Sequence, residues 1–525
     1  MSRIISRSTL SQTLAVMVKN MVLIGYGMAF CFPTILIPDL SRRNVDDPLH
    51  LGLEGISWIG SVNLVLIPVG CILSGIITKP LGRRRALQLI NIPFFICWIT
   101  YYFSTEVWHI LAALSVTGFV GGLKVTPVLT YVAEISEPRL RGILISTANV
   151  SISAGIMMEF ILGKFLEWKL AALCSLIIPL LTFLLLFLVP ETPSWLVSKR
   201  RFEEAKQSLA WLRGWVPVDE VAKEYKELLL NSQMARHLEG HIVDQNNGRN
   251  VLRKRVSMVK MMRKRSFIRA FGLATFACFL AHFCGVSPVG VYAVNIFTSL
   301  GSPIDGHSAT VVSGVVSMIA GLLSITIVGR LGRRLTSFIS LAGTAITFSA
   351  LGIYTHLNNM NTLLILKNLS DVKINSTEDS SRIHSSSISW FPFSTLILGV
   401  FSAQMGICIL PWALVTEVFS YEIRDIAAGM ITMNFYILGF LCIKTFFNYT
   451  SLLTLPGTFW FFSAVSVAGL VILYFVLPET EGKTVYEIHQ HFSGKRKLGK
   501  TMNRRNCSVE EGSKQSENLH LREYI

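Results

Sequence analysis

Tyr131-Val-Ala-Glu134-Ile-Ser-Glu-Pro138-Arg-Leu-Arg141-Gly142 stands between two long apolar segments. Glu134 lies where the first segment ends. A helix cannot run on through Pro138, so the chain turns there. Arg141 opens the second segment. The same arrangement recurs at Glu417-Val-Phe-Ser-Tyr-Glu-Ile-Arg424, with the same seven-residue interval between acid and arginine. A charged pair used twice at the border of apolar sequence points to helix ends at a membrane surface.

The chain as a whole agrees. Its 525 residues are 51% hydrophobic and 15% charged, where a soluble domain carries about 25% charge. Mean hydropathy is +0.52. Apolar runs near 20 residues are the mark of membrane helices, and they recur throughout. A net charge of +16 could indicate nucleic acid. The basic residues instead sit in short clusters between apolar runs, with no soluble domain to present them, so no nucleic acid partner is expected. Eight of the nine cysteines lie inside apolar segments, and their spacing suggests neither a metal site nor a disulfide framework. The first apolar segment is too long for a cleaved signal and is expected to remain as a helix.

Twelve spans are predicted, near 16–37, 56–78, 87–104, 108–132, 143–163, 170–189, 267–297, 308–328, 335–355, 391–416, 426–447 and 456–477. Between spans six and seven, Phe202–Leu212 and Val221–Leu230 have helical periodicity and read as short amphipathic helices on a membrane surface. Arg83-Arg84-Arg85, Arg139, Arg141, Lys199-Arg200-Arg201, the run from Arg253 to Arg269, Arg330 to Arg334 and Arg424 fall on one side, with both termini. The positive-inside rule makes that side cytoplasmic. The loop before span ten then lies outside, and it carries two glycosylation sequons, at Asn368 and Asn375. A third, at Asn448, lies too near the membrane for use.

Three motifs occur in the same order in each half. Leu81-Gly82-Arg83-Arg84 and Leu331-Gly332-Arg333-Arg334 follow spans two and eight, and the Glu-to-Arg pair follows spans four and ten. Pro190-Glu191-Thr192-Pro193 and Pro478-Glu479-Thr480-Glu481 follow spans six and twelve. The expected fold class is an all-α membrane protein, with twelve transmembrane helices in two pseudo-symmetric six-helix bundles. Its parts would be an N-terminal segment (1–15), a first bundle (16–189), a loop with short helices (190–266), a second bundle (267–477) and a tail (478–525). Parallel repeats of this kind place a solute site between the halves near the bilayer midplane.

Taken together, these six motifs resemble the sugar porter branch of the major facilitator superfamily, from about Leu14 to His491. Two phrases, Pro127-Val-Leu-Thr-Tyr-Val-Ala-Glu134 and His282-Phe-Cys-Gly-Val-Ser…Tyr292-Ala-Val, are similar to insect facilitated trehalose transporter-like proteins. The resemblance implies a facilitative carrier of a neutral sugar, a hexose or a trehalose-like disaccharide. The carrier would sit in the plasma membrane, need no cofactor and work by alternating access. It also implies a midplane site of amides and an indole. Asn149 holds the span-five glutamine position, Ala281 and His282 replace two span-seven glutamines, Ser287 replaces an asparagine, and Ser317 holds an asparagine position in span eight. In span ten Pro411-Trp412 is kept, and Gln404 stands where glucose facilitators have an acid. Tyr292 matches a gating tyrosine. Proton-coupled relatives carry Gly-Tyr-Asp in span one; here the phrase is Gly25-Tyr26-Gly27, so proton coupling by that route is not expected.

On charge alone, Arg83, Arg84, Arg333 and Arg334 are expected near Glu134 and Glu417. With Arg141, Arg424, Glu191 and Glu479 they would latch the cytoplasmic ends in the outward-open state. Most relatives carry an acid three residues before the motif glycine, where this chain has Lys79 and Gly329. With those acids missing, Glu134 with Arg141 and Glu417 with Arg424 would carry more of the closure. Charges inside spans are few: Lys124 could be buried near a central cavity, while Glu159 and Lys444 are expected to snorkel outward. His282 could donate to a hydroxyl, sense protons, or bond a neighbouring backbone group. Trp412 could be a sugar platform or a packing aromatic. A transporter-like sensor without flux and a carrier of a non-sugar solute remain alternatives. No nucleophile–base pair or metal-ligand cluster points to an enzyme. The oligomeric state is not legible.

Overall fold

Crossing hydrocarbon requires a helix of about 20 residues, because every backbone group must be satisfied within it. The computed structural model describes residues 2–41, 43, 47–230, 262–360, 362–363, 390–419, 424–480 and 485–492. Its first bundle consists of Ser2–Ser41, Leu53–Leu81, Arg83–Phe103, Val107–Ile135, Pro138–Phe165 and a sixth span made of Trp168–Ser175 and Ile177–Leu185. In the second bundle span 7 is Arg265–Phe283, Val286–Val291 and Ala293–Ser299, and spans 8 and 9 are Gly306–Leu331 and Arg333–Leu357. Span 10 is Trp390–Met405 with Leu410–Val418, and spans 11 and 12 are Arg424–Lys444 and Phe446–Val476. Eleven of these are long and apolar enough on their own to cross a membrane. The twelfth, Pro138–Phe165, has 28 residues and so reaches about 42 Å.

The packing repeats between halves. Span 2 packs on 4, span 1 on 5, and span 3 on 4 and 6; correspondingly, 8 packs on 10, 7 on 11, and 9 on 10 and 12. The bundles meet through span 2 against 11 and span 5 against 8. Those two contacts exchange under the same pseudo-twofold that relates the halves. This is the major facilitator fold.

Helices outrun the spans read from hydropathy. The segment 1–15, expected to lie outside the membrane region, is helical from Ser2 and continuous with span 1. Its Ser8 hydroxyl and Gln12 amide donate to the Glu137 carboxylate at 2.7 and 3.0 Å, which pins the chain start to the turn between spans 4 and 5. Span 12 begins at Phe446, ten residues before the expected position, and kinks at Thr454 (φ 65°), just ahead of Pro456. Span 7 breaks at Gly285, whose φ of +98° is left-handed. A Cβ there would lie 2.6 Å from the Phe462 ring, so only glycine fits. The loop helix Phe202–Leu212 occurs as read, and 222–230 is helical. Rather than lying apart, these helices join Pro193–Ser198 around a small core of Trp195, Leu196, Leu209 and Tyr225.

The repeated Gly-Arg-Arg and Pro-Glu-Thr motifs meet as a helix cap. Gly82 and Gly332 have φ of +91° and +83°. Each ends one span and starts the next, leaving the amides of the new helix without partners. Glu191 accepts from the Arg83 and Arg84 amides at 3.0 Å each, and Glu479 from the Arg333 and Arg334 amides at 3.0 and 3.2 Å. A carboxylate at a helix N-terminus is favoured by both hydrogen bonding and the helix dipole. A Cβ on Gly332 would come within 2.6 Å of the Glu479 carboxylate. Gly332→Ala is therefore expected to destabilise by about 1–3 kcal/mol, read as a lowered apparent Tm of purified protein. Gly75→Ala, where a Cβ meets nothing within 4 Å, should leave it unchanged or raised. Equal Tm values for the two variants would contradict the cap.

Candidate functional site

Where the bundles face one another they enclose a cavity of about 590 Å³. It lies within the 300–1,000 Å³ range of small-molecule sites. Spans 5, 7, 8, 10 and 11 line it through Asn149, His282, Ser287, Ser317, Gln404, Trp412 and Phe435. All six residues expected to contact solute are thus brought to one cavity. The breaks in spans 7 and 10 lie beside it, where irregular backbone is tolerated because it borders a cavity.

Within that wall the side chains constrain one another. His282 Nδ1 and Ser287 Oγ are 2.7 Å apart. His282 Nε2 is buried and has no hydrogen-bond partner among the described residues. The Phe435 ring lies 4.3 Å from the His282 ring and 4.9 Å from the Trp412 ring, wedged between them. Trp412 is 36% exposed, and Asn149 is exposed on the wall of span 5. Ser317 bonds back to the Ser313 carbonyl at 2.8 Å, which leaves its oxygen free to accept. Arg333 is the only Asp, Glu, Lys or Arg among the described lining residues. Phe435 was not legible in advance, since nothing in the sequence of span 11 distinguishes it from lipid-facing phenylalanines.

One end of the cavity is shut. Tyr292 is 1% exposed, stacks on Phe446 at 5.1 Å, and donates to the Ile443 carbonyl at 3.4 Å. Its hydroxyl lies beside Gly60 of the first bundle, where a Cβ would come within 2.8 Å of it. Thr34 donates to the Gly290 carbonyl at 3.2 Å, and the Tyr26 and Tyr436 hydroxyls are 3.3 Å apart. The contacts at Gly60, Thr34 and Tyr26 join span 1 or 2 to the second bundle. The opposite end opens past Gly329, Thr336 and Ser337, at the face that carries the arginine motifs.

At that face each acid pairs inside its own bundle. Arg83 Nη2 lies 2.6 Å from Glu134 Oε1, and Arg333 pairs with Glu417 in the matching place. Arg84 donates to the Val189 carbonyl at 3.0 Å and Arg334 to the Tyr474 carbonyl at 2.6 Å. In this conformation, open at the arginine face, these contacts stay within each bundle: they join spans 3, 4 and 6, and separately 9, 10 and 12. The geometry is set by the Gly-Arg-Arg turn, which aims the first arginine along its own bundle. The Arg141 and Arg424 side chains lie outside the described residues, as do Asn368 and Asn375.

Intramembrane charges also depart from expectation. Glu159 does not snorkel: it is fully buried and accepts from Ser175 Oγ at 2.8 Å. Lys124 is buried with its Nζ 3.3 Å over the Phe94 ring, inside the first bundle and away from the cavity. Lys19, which hydropathy leaves at a span edge, is equally buried. Lys444 reaches across to span 2, donating to Ser57 Oγ at 2.8 Å above the Trp58 ring. Ser57 and Trp58 offered it a nearer partner than water.

Two repeated bundles with a shared cavity, shut at one end and open at the other, define a membrane carrier. The Sugar (and other) transporter family model matches residues 13–492, and the chain belongs to that family. It is 28% identical to facilitated trehalose transporter Tret1 of Apis mellifera ligustica over 92% of this chain and 88% of that one. The figure for Tret1 of Bombyx mori is also 28%, over 90% and 85%. Among solved structures, the inward-open conformation of the xylose transporter XylE from E. coli is similar, with a TM-score of 0.65. Identity is 19%, covering 92% of this chain and 99% of that one; the likeness shows the fold.

The Arg83–Glu134 pair can be tested as a unit. Arg83→Gln and Glu134→Gln should each lower apparent Tm, and the double variant should lose less than the sum, by about 0.5–3 kcal/mol of coupling. Additive losses would separate the two residues.

Proposed function

We propose that the protein is a facilitative carrier that moves a neutral sugar down its gradient by alternating access. The observation that carries this reading is the cavity wall. It combines an indole, several hydrogen-bonding groups and no carboxylate among the described lining residues. Trp412 offers an apolar face to a sugar ring, while Asn149, Gln404, His282, Ser287 and Ser317 pair hydroxyls. Such a site discriminates strongly, because an unmatched buried polar group is costly. The replacement of glutamine positions by Ala281 and His282 favours a solute other than glucose, and trehalose is the first candidate, since the Tret1 relatives carry that name. An enzyme is not proposed.

In this reading Tyr292 and its neighbours form the outer gate. The arginine face is cytoplasmic, with both termini on that side of a plasma membrane, and Asn368 and Asn375 are glycosylated outside. Two rigid bundles rock about the solute. Glu134, Glu417, Arg83, Arg84, Arg333, Arg334, Glu191 and Glu479 hold the inner ends of each bundle together, and Arg141 and Arg424 add to that face. With Gly27 in span 1 in place of an acid, no proton need accompany the sugar.

Uptake of labelled glucose, fructose and trehalose by a hexose-transport-deficient cell tests the proposal. Saturable flux of at least one sugar is expected, and none, with surface expression confirmed, would sink it. Trp412→Ala should raise KM at least about tenfold, which is 1.4 kcal/mol of lost binding. Initial uptake should be the same with and without a protonophore. Collapse of flux on adding one would overturn the facilitative mechanism.

A further inference from the structure

A second cavity, of about 440 Å³, lies on the outer surface of the second bundle, lined by Arg269, Gly272, Leu273 and Phe276 of span 7, and Ile472 and Val476 of span 12. His491 and Phe492 complete it. The helix Val485–Phe492 packs against spans 7 and 10 and floors one end. From Arg269 to Phe276 is seven residues, a groove about 10 Å long.

Its two ends differ in chemistry. Along the groove Ile472 and Val476 are exposed at 43% and 46%. Gly272 is exposed, and a Cβ built on it meets nothing within 4 Å, so an open notch lies beside it. At the mouth Arg269 is exposed, and Arg263, Lys264 and Arg265 stand one to two turns before it, also exposed. None of these four cations forms an ion pair with a carboxylate among the described residues. An apolar slot on a membrane-facing surface, with unpaired cations at one end, matches one kind of molecule. That molecule has an anionic head and a hydrocarbon tail, and basic pockets beside membrane helices recognise such lipids.

We infer that the groove between spans 7 and 12 binds an anionic phospholipid, its phosphate on Arg269 and the Arg263–Arg265 cluster and one acyl chain along Gly272 and Phe276. A zwitterionic lipid fits the slot equally well but gains little from the cations. Selectivity therefore resides in the headgroup and occupancy in the notch. The site is independent of the solute cavity, so a lipid measurement decides it whether or not the chain moves sugar.

The full-length protein, purified in detergent, is delipidated and titrated with dioleoylphosphatidylglycerol or dioleoylphosphatidylcholine, and bound lipid is counted by native mass spectrometry. Wild type is expected to retain phosphatidylglycerol preferentially. Arg269→Gln should weaken that retention about fivefold, the worth of one cation near the surface, with phosphatidylcholine unchanged. Gly272→Leu, whose Cβ enters open space and whose side chain extends into the notch, should weaken retention of both lipids. Arg200→Gln, on the loop-helix face, should change neither. Equal retention of the two lipids by wild type, or phosphatidylglycerol retention unaltered in both Arg269→Gln and Gly272→Leu, would overturn the assignment.

Discussion

A carboxylate bound to two backbone amides holds each bundle in register. Glu191 and Glu479 arrive from the ends of spans 6 and 12 and cap spans 3 and 9. Without them, a turn that runs one membrane helix straight into the next would leave its first amides unsatisfied at the edge of hydrocarbon. The left-handed glycines make the turn possible, and the carboxylate makes it stable. Because the first arginine after each glycine then points at the acid ending span 4 or 10, three helix ends become one assembly. The solute cavity inherits its shape from this arrangement, since spans 8 and 10 can hold Ser317 and Trp412 in position only if their inner ends do not slide.

The bundles are joined differently. Besides apolar packing of span 2 on 11 and of span 5 on 8, their shared contacts among the described residues are single and mixed: a threonine to a carbonyl, two tyrosine hydroxyls, a lysine over an indole, and a tyrosine beside a glycine. Each is weak enough to break without unfolding either half. Half-buried ion pairs are reserved for contacts within a bundle, where removing one partner would leave a stranded charge. Strong contacts inside and exchangeable contacts between are what two rocking bodies require.

Much of this was legible in the sequence because membrane helices announce themselves by length and because every motif occurs twice. The six residues that the family pattern suggests for solute contact line one cavity. Charge placed the motif arginines near Glu134 and Glu417, and Arg83 and Arg333 do pair with them, but which arginine of each motif does so was not legible. The turn at Gly82 is what brings Arg83, and not Arg84, to Glu134 from another helix. Likewise Glu159 reads as a residue near a span end, and only packing reveals Ser175 beside it in the core. Phe435 is a further case: its position between His282 and Trp412 depends on the rotation of span 11, which hydropathy does not encode.

Lys124 carries a consequence for how the protein is made. A lysine well inside a span opposes insertion of that helix by about 3 kcal/mol. Its ammonium rests on the Phe94 ring of span 3, and the two spans are separated by a connection of only three residues, from Ser104 to Glu106. Span 4 is thus better suited to enter the bilayer as a hairpin with span 3 than alone, the aromatic ring sheltering the cation before the rest of the bundle exists.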